Sequence, residues 1–465
     1  MIKDVRRKKV KIIILGSGKI GRTIAESLID ENNDITVIDI NKEKLNQLQD
    51  KLDLRVISGF ASHPKVLREA RAEETDILIA VTGSDEVNMI ACQVAHSFFK
   101  IPKKIARIRS IGYTEEINLF SKTCIPIDYF ISPEKTIVDG IRKLIQYPGV
   151  SQIMSFSRRI VSIVTVDMKN DNLLIHLSVS KVQKRFAHLK CKLISIFREK
   201  VPIFPKDSTI IQEYDEIFFI IKTENIRLLM YELKILEKPY RKIMIVGGGR
   251  IGFELARILE KIYQVKIIEK DSEKASKLSE ILNHATVLHG HVSDKELLFK
   301  ENISEVDAFI TLTENDESNI MYALLAKKMG VKRTIVLIHH GSYINLIKSG
   351  MIDNMIFPKQ AILSSLLGYV RRMRSNISYI REGVLETIEI KLNRKNRYSG
   401  VIGKKVSEIN LDEGIVIGAI IRNSEVIFSI SEQKIKLYDI LLIFITKKNH
   451  ISEIYRTFKM DKDNF

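Results

Sequence analysis

Short aliphatic runs alternate along the chain with longer stretches whose apolar positions recur every three or four residues. Lys11 to Leu15 reads KIIIL, a strand with no polar face, and Gly21 to Ile29 carries apolar residues at helical spacing. Ile35 to Ile38 returns as a strand. Further strands are predicted at Arg55 to Ile57, Ile77 to Val81 and Lys104 to Ile108, between helices near Lys42 to Leu52, Lys65 to Ala70 and Glu86 to Phe98. Continuous Ile, Val and Leu strands separated by helices imply a parallel sheet covered on both faces, an α/β fold of the doubly wound, Rossmann-like kind. Ser132 to Ile145 then reads as a helix, with Ser132 as N-cap and Pro133 at the first helical position. From Val161 to Leu236 the pattern changes to short runs such as SIVTV and EIFFII with turn signals between them, which predicts a small α+β module.

The same succession occurs twice. GSGKIG at Gly16 to Gly21 returns as GGGRIG at Gly247 to Gly252, 231 positions on, and the same displacement carries Gly59 to Gly290, Thr82 to Thr313, Asp85 to Asp316 and Asn88 to Asn319. Further along, FREKVPIF from Phe197 matches IRNSEVIF from Ile421 and Asp215 matches Asp439, now 224 positions apart, so the second copy has lost residues. The expected organisation is a Rossmann-like domain over 10–130, a connecting helix over 131–150 and a small α+β domain over 151–238. A second such set follows, over 241–357, 358–375 and 376–459.

A lone GxGxxG is weak evidence, but both copies follow a strand and open a helix. Gly16 then permits the tight turn, Gly18 the close approach of backbone to ligand and Gly21 close helix packing, while the helix N-terminus offers free N–H groups to a phosphate. Asp39 and Glu269 stand at the ends of the second strands, 18 and 17 residues after the last glycine. A carboxylate there accepts hydrogen bonds from ribose hydroxyls and repels a 2′-phosphate, which favours NAD(H), or an adenosine nucleotide such as ATP or ADP, over NADP.

TGSDEVNM from Thr82 and TENDESNI from Thr313 each follow an aliphatic strand. Thr82 sits at a strand's carboxyl end, where open α/β sheets bind ligands; Asp85 and Asn88 read either as cap and first-turn residues or as ligand contacts. In RIRS, alternation with Ile105 favours Arg107 over Arg109 as the inward-facing phosphate ligand. The second copy has Ile338 and His340 at these positions. His339 and His340 lack the companions of a zinc site, so no metal is expected.

Composition narrows the field. The 465 residues, with 45% hydrophobic and 28% charged, suit several folded domains. Cys92, Cys124 and Cys191 are widely spaced and fit a reducing cytoplasm. No apolar run reaches the roughly 18–20 residues that cross a bilayer. MIKDVRRKKV is expected to be a short tail before the first strand. The net charge of +17 admits an anionic membrane surface or nucleic acid as partner, yet the basic residues are scattered apart from Arg6 to Lys9 and Arg371 to Arg374. There is no GxSxG elbow, P-loop or HExxH. Neither dinucleotide unit leads into a large substrate domain. Nucleotide binding without a catalytic constellation is therefore what the residues themselves predict, with an NAD-dependent oxidoreductase and a nucleic-acid binder as the competing readings.

The paired glycine fingerprints, the acidic strand ends, the TxxDExNM and TxxDExNI segments and the small appended modules resemble the regulator-of-potassium-conductance (RCK) architecture. Within it, LGSGKIGRTIAE, ENNDITVID, RIRS and EKPYRKIMIVGGGRIG are similar to the TrkA proteins of proteobacterial potassium uptake. The resemblance implies a non-enzymatic, peripheral subunit on the cytoplasmic face of the inner membrane. It further implies a homotetrameric ring beneath a potassium-translocating subunit of the TrkH/TrkG type. The family's nucleotide contacts fall on Gly16, Ser17, Gly18, Lys19, Ile20, Gly21, Asp39, Thr82 and Arg107, and on Gly247, Gly248, Gly249, Arg250, Ile251, Gly252 and Glu269. Where the family often has an acidic or small residue after the third strand's glycine, this chain has Phe60 and His291. With no arginine in the second copy, nucleotide binding there stays open.

Overall fold

The computed structural model describes residues 9–29, 33–121, 123–168, 172–199, 201–235, 239–340, 343, 351–359, 363, 366, 369–370, 377–380, 385–393, 400–412, 414–428, 430–446, 453–454 and 457–458. The expected N-terminal tail lies outside them up to residue 8. Two compact units result, one of Met1–Pro133 with Ala361–Arg372 and one of Glu134–Gln360 with Met373–Asn464.

In the first unit, β1 (Lys11–Leu15), α1 (Lys19–Ile29), β2 (Asp34–Asp39), α2 (Lys42–Gln49), β3 (Arg55–Ser58), α3 (Pro64–Glu69), β4 (Ile77–Ala80), α4 (Asp85–Ser97), β5 (Lys103–Arg107), the single turn α5 (Ile111–Thr114) and β6 (Tyr129–Ile131) follow in order. The strands form one parallel sheet, β3-β2-β1-β4-β5-β6. Helices cover both faces, so β1 and β4 bury nearly every side chain, which is why their sequences are unbroken aliphatic runs. The chain reverses direction across the sheet between β1 and β4, and the crevice beyond their carboxyl ends is where such folds bind ligands.

The helix after β4 starts one residue earlier than its apolar spacing suggests. Ser84, rather than Asp85, is the N-cap, its Oγ accepting from Val87 N at 3.2 Å. Its hydroxyl satisfies the first turn and leaves the Asp85 carboxylate for other donors.

The second unit begins at Glu134, the second residue of α6 (Pro133–Gln146). A five-stranded antiparallel sheet follows: β7 (Gln152–Phe156), β8 (Val161–Asp167), β9 (Cys191–Arg198), β10 (Val201–Ile203) and β11 (Glu216–Lys222), in the order β10-β9-β11-β8-β7, with α7 (Val179–Arg185) and α8 (Ile226–Glu232). The second parallel sheet contains β12 (Lys242–Val246), β13 (Gln264–Glu269), β14 (Thr286–His289), β15 (Ala308–Thr311), β16 (Arg333–Leu337) and β17 (Asn354–Ile356). Its helices are α9 (Arg250–Leu259), α10 (Ser272–Ile281), α11 (Lys295–Lys300) and α12 (Asp316–Lys328), and its order, β14-β13-β12-β15-β16-β17, repeats the first sheet strand for strand. A second antiparallel sheet, β18 (Ile377–Ile380), β19 (Leu385–Lys391), β20 (Ile415–Arg422), β21 (Glu425–Ile427) and β22 (Ile440–Ile445), closes the chain.

The two antiparallel sheets share one core. Phe156, Ile194, Phe197 and Phe218 of the first pack with Leu385, Ala419, Leu442 and Phe444 of the second. Ser157 N also donates to Glu389 Oε2 at 2.9 Å. Each module thus buries against its duplicate the apolar face it would otherwise expose.

The linking segments are exchanged between copies. Of the helix expected over Pro358 to about Arg374, residues 358–359, 363, 366 and 369–370 are described and helical. Within the first unit, the Tyr369 ring stacks on Tyr129 of β6 with centroids 4.9 Å apart, and Lys103 Nζ lies 5.4 Å from its centroid. Within the second unit, the Val150 carbonyl just past α6 accepts from Arg333 Nη2 at 3.2 Å and Asn354 Nδ2 at 3.1 Å, on β16 and the edge strand β17 of the second parallel sheet. Each copy's connecting segment is fastened to the other copy's sheet.

Candidate functional site

The turn after β1 is built on Gly16, whose φ of +106° lies in the region side chains avoid, and on Gly247 at +101° in the second copy. Gly16 N donates to Ile38 O at 2.8 Å and Gly247 N to Ile268 O at 2.9 Å, tying each turn to β2 or β13. A Cβ on Gly21 would stand 1.8 Å from Gly16 O, and one on Gly252 1.9 Å from Gly247 O, so the helix can approach the turn only as glycine. A Cβ on Gly18 or Gly249 would meet nothing within 4 Å. That open space lies where the unpaired N–H groups of the first turn of α1 or α9 point, and it fits a phosphate.

The acids at the strand ends close the cradle from the other side. Asp39 Oδ2 accepts from Ser17 N at 2.6 Å and Oδ1 from Asn41 N at 2.9 Å. Glu269 repeats this, accepting from Gly248 N at 2.7 Å and Asp271 N at 3.0 Å. Burial pushes the Asp39 carboxyl up, but the N–H groups of Ser17 and Asn41 outweigh it and hold the group below the usual carboxylate range. It is ionised at neutral pH, and each oxygen retains acceptor capacity for a ribose hydroxyl.

Thr82 is fixed at the end of β4 by Asn88, whose Oδ1 accepts from Thr82 N at 2.9 Å and from its hydroxyl at 2.7 Å. Asn88 Nδ2 donates to the Arg107 carbonyl at 3.0 Å. The fully buried Asn88 therefore joins two strand ends, and its capacity is spent inside the protein. Asn319 does the same between Thr313 and Leu337 O.

Asp85 holds the loop after β5. Its carboxylate accepts from Arg109 N and Ser110 N, both at 2.8 Å, and from Arg109 Nε at 3.1 Å, while the Arg109 guanidinium also reaches the Gly83 carbonyl. Burial raises the Asp85 carboxyl, and these donors bring it below its ordinary value. Arg109 is thereby committed to structure, and Arg107 stands half-buried at the end of β5. Arg107 and Arg109 could be paired with different roles from sequence only by alternation; the Asp85–Arg109 bond has no local signature, since its partners are 24 residues apart.

In the second copy Asp316 takes the place of Asp85, accepting from His339 N at 2.9 Å and His340 N at 3.0 Å, with both Nδ1 atoms at 2.8 Å. The displacement of 231 places Ile338 and His340 opposite Arg107 and Arg109, but one residue fewer between α12 and β16 shifts the register. Leu337 pairs with Ile356 as Arg107 pairs with Ile131, so Leu337, 2% exposed, holds the Arg107 position and His339 that of Arg109, while Ile338 matches the buried Ile108. Phe60 is exposed and rests against the His63 ring, 5.1 Å between centroids; His291 Nε2 lies 3.3 Å from the Tyr322 hydroxyl. Lys19 and Arg250 are exposed at the helix starts, and Ile20 and Ile251 half-buried beside them. Burial pushes the Cys92 and Cys191 thiols up to about 12, which leaves them unreactive at neutral pH. Among the described residues no three or more His, Cys, Asp and Glu side chains gather as metal ligands.

The TrkA-N domain model matches residues 12–133 and 243–358, and the TrkA-C domain model 396–459. The Trk system potassium uptake protein TrkA of Vibrio alginolyticus is 46% identical over 452 residues, covering 97% of this chain and 99% of its own length. The chain belongs to the TrkA family. The Haemophilus influenzae and Halomonas elongata proteins of the same name are 44% and 41% identical over the same coverage. Among solved structures, the GsuK channel bound to NAD superposes with a TM-score of 0.62 at 17% identity, covering 98% of this chain and 80% of that one. The GsuK RCK domain gives 0.62 at 16%, covering 98% and 96%. These likenesses establish the RCK fold. TrkA membership places the chain among regulatory proteins of potassium transport and not among dinucleotide-dependent enzymes. Among the described residues no helix is long and apolar enough to cross a membrane.

Proposed function

We propose that this TrkA-family chain is the nucleotide-sensing subunit of a Trk-type potassium uptake system, bound as a homotetrameric ring to the cytoplasmic side of a TrkH/TrkG-type membrane subunit. The observation that carries the reading is the closed cradle of the first copy. A glycine turn opens toward a helix N-terminus, and Asp39 is held against that turn by Ser17 N at 2.6 Å. NAD(H) is the favoured ligand and ATP or ADP the other candidates, in keeping with GsuK structures bound to NAD and to ADP.

In this proposal Gly16 to Gly21 cradle the pyrophosphate, Asp39 holds the adenosine ribose, Thr82 lines the crevice and Arg107 binds phosphate oxygens. In the second copy Gly247 to Gly252 and Glu269 form the equivalent cradle without an arginine, and they bind more weakly. The domain division follows the two-fold succession at 10–130, 131–150, 151–238, 241–357, 358–375 and 376–459. Nucleotides act by binding one arrangement of the ring better than another. A differential of roughly 1–3 kcal/mol corresponds to a roughly 5–150-fold change in the transporter's equilibrium. Co-purification with the membrane subunit, and its loss or gain with NADH, tests the assignment. A chain that binds no nucleotide and no membrane subunit contradicts it.

A further inference from the structure

At the amino-terminal ends of β1, β2 and β3, opposite the glycine turn, the first unit contains a cavity of about 320 Å³. Lys11, Asp34 and Arg55 open these three strands, and Arg71 lies just past α3; all four line the cavity, with Thr36 and Ala70 deeper. Three of the charged groups are cationic and one is anionic. Lys11 is paired with Glu74, and Arg55 Nη2 donates to the Glu69 carbonyl at 2.9 Å.

The duplication supplies an internal comparison. Registering β2 on β13 and α3 on α11 places Lys266 at the position of Thr36 and Glu301 at that of Ala70. Lys266 Nζ lies 2.7 Å from Glu301 Oε2 and 3.0 Å from Glu301 O, a part-buried ion pair formed by the counterparts of two cavity-lining residues. The first copy has neither half of that pair. It also carries two guanidinium groups at the rim, since Arg55 and Arg71 stand where the second copy has Thr286 and Asn302. Loss of packing alone would leave an apolar void and a stability cost. Two arginines around the space that the second copy fills with an ion pair instead create a demand for negative charge, and guanidinium groups match phosphate in bidentate geometry.

We infer that this cavity is a second ligand site, for a small phosphorylated metabolite. Arg55 and Arg71 bind the phosphate at the rim, and Thr36 offers its hydroxyl from the floor. The volume exceeds what inorganic phosphate fills, so a short organic portion lies over Ile12 and Ile13.

Isothermal titration of the full chain with inorganic phosphate and with glycerol phosphate tests this. Saturable binding by the wild type is expected, tighter for the ester. The paired substitution Thr36→Lys with Ala70→Glu, which restores the second copy's ion pair, abolishes it. Arg71→Asn weakens it by at least about ten-fold, the loss of one charge-assisted contact. Arg71 is exposed with φ of 58°, a conformation asparagine adopts at Asn302, so this variant keeps the fold even if the paired one does not. Absence of saturable binding by the wild type overturns the inference, as does wild-type binding by Arg71→Asn or by a folded filled variant. The difference between wild type and variants isolates this cavity whether or not the glycine turn takes a nucleotide.

Discussion

The Asp39 carboxylate lies 2.6 Å from the backbone nitrogen of Ser17, across a loop closed by 22 residues, and Glu269 stands 2.7 Å from Gly248 N in the same way. In both copies the acid that would hold a ribose also fixes the turn that would hold its phosphates. The two halves of the cradle are therefore one mechanical piece. Asp39→Ala should weaken NADH binding by about ten-fold or more, through the lost ribose bonds and the loosened turn together. Titration of the purified variant measures it, and an unchanged affinity places the ribose elsewhere.

Gly18 and Gly21 separate binding from folding. Gly18→Ala adds a methyl group to open space, so the melting temperature should stay within a few degrees while nucleotide affinity falls. Gly21→Ala drives a Cβ to 1.8 Å from the Gly16 carbonyl and should cost more than about 2 kcal/mol of stability. Equal melting temperatures for the two variants would contradict the packing described.

How much of this was legible in the sequence depended on how local the cause was. KIIIL and ILIA announce strands buried on two faces because their neighbours in sequence suffice to show it, and the GxGxxG turns recur with their acids in register. The N-cap of α4 shifted by one residue because Ser84 and Asp85 are both good caps, and the choice is made by Arg109, 24 residues downstream. The exchange of connecting segments left no trace in periodicity. An amphipathic helix shows which face it buries but not which sheet edge receives it, so the stacking of Tyr369 on Tyr129 required the structure.

The buried carboxylates predict the acid limb of stability. Asp39, Asp85 and Asp316 all have carboxyls held below their ordinary range, despite burial, by backbone and side-chain donors. A folded pKa below the unfolded value contributes stability that is complete above the unfolded value, about 3.9, and is lost as pH falls through the lower folded one. Denaturant midpoints should therefore hold between neutral pH and about 5 and fall below about 4, and Asp85→Asn should flatten that fall. A midpoint that declines mainly above pH 6 would point to other groups.

Arg198 and Asp215 form a bidentate pair at 2.9 and 2.8 Å in the first antiparallel module, and Arg422 and Asp439 repeat it at 2.8 Å in the second. Both aspartates are 1% exposed. Removing the guanidinium leaves a buried carboxylate without its partner, so Arg198→Ala or Arg422→Ala should each cost about 3 kcal/mol in chemical denaturation. Asp215→Asn combined with Arg198→Ala should recover part of that loss; no recovery would show that the charge is not what the arginine compensates.

The most direct test is titration of the full chain with NADH, following binding by heat and the coenzyme by its absorbance, with Arg107→Ala in parallel. Saturable binding with the absorbance unchanged, and weaker binding by the variant for every phosphate-bearing ligand, is the predicted result. Steady oxidation of the coenzyme, or indifference of the protein to adenine nucleotides, would contradict a cradle used for sensing.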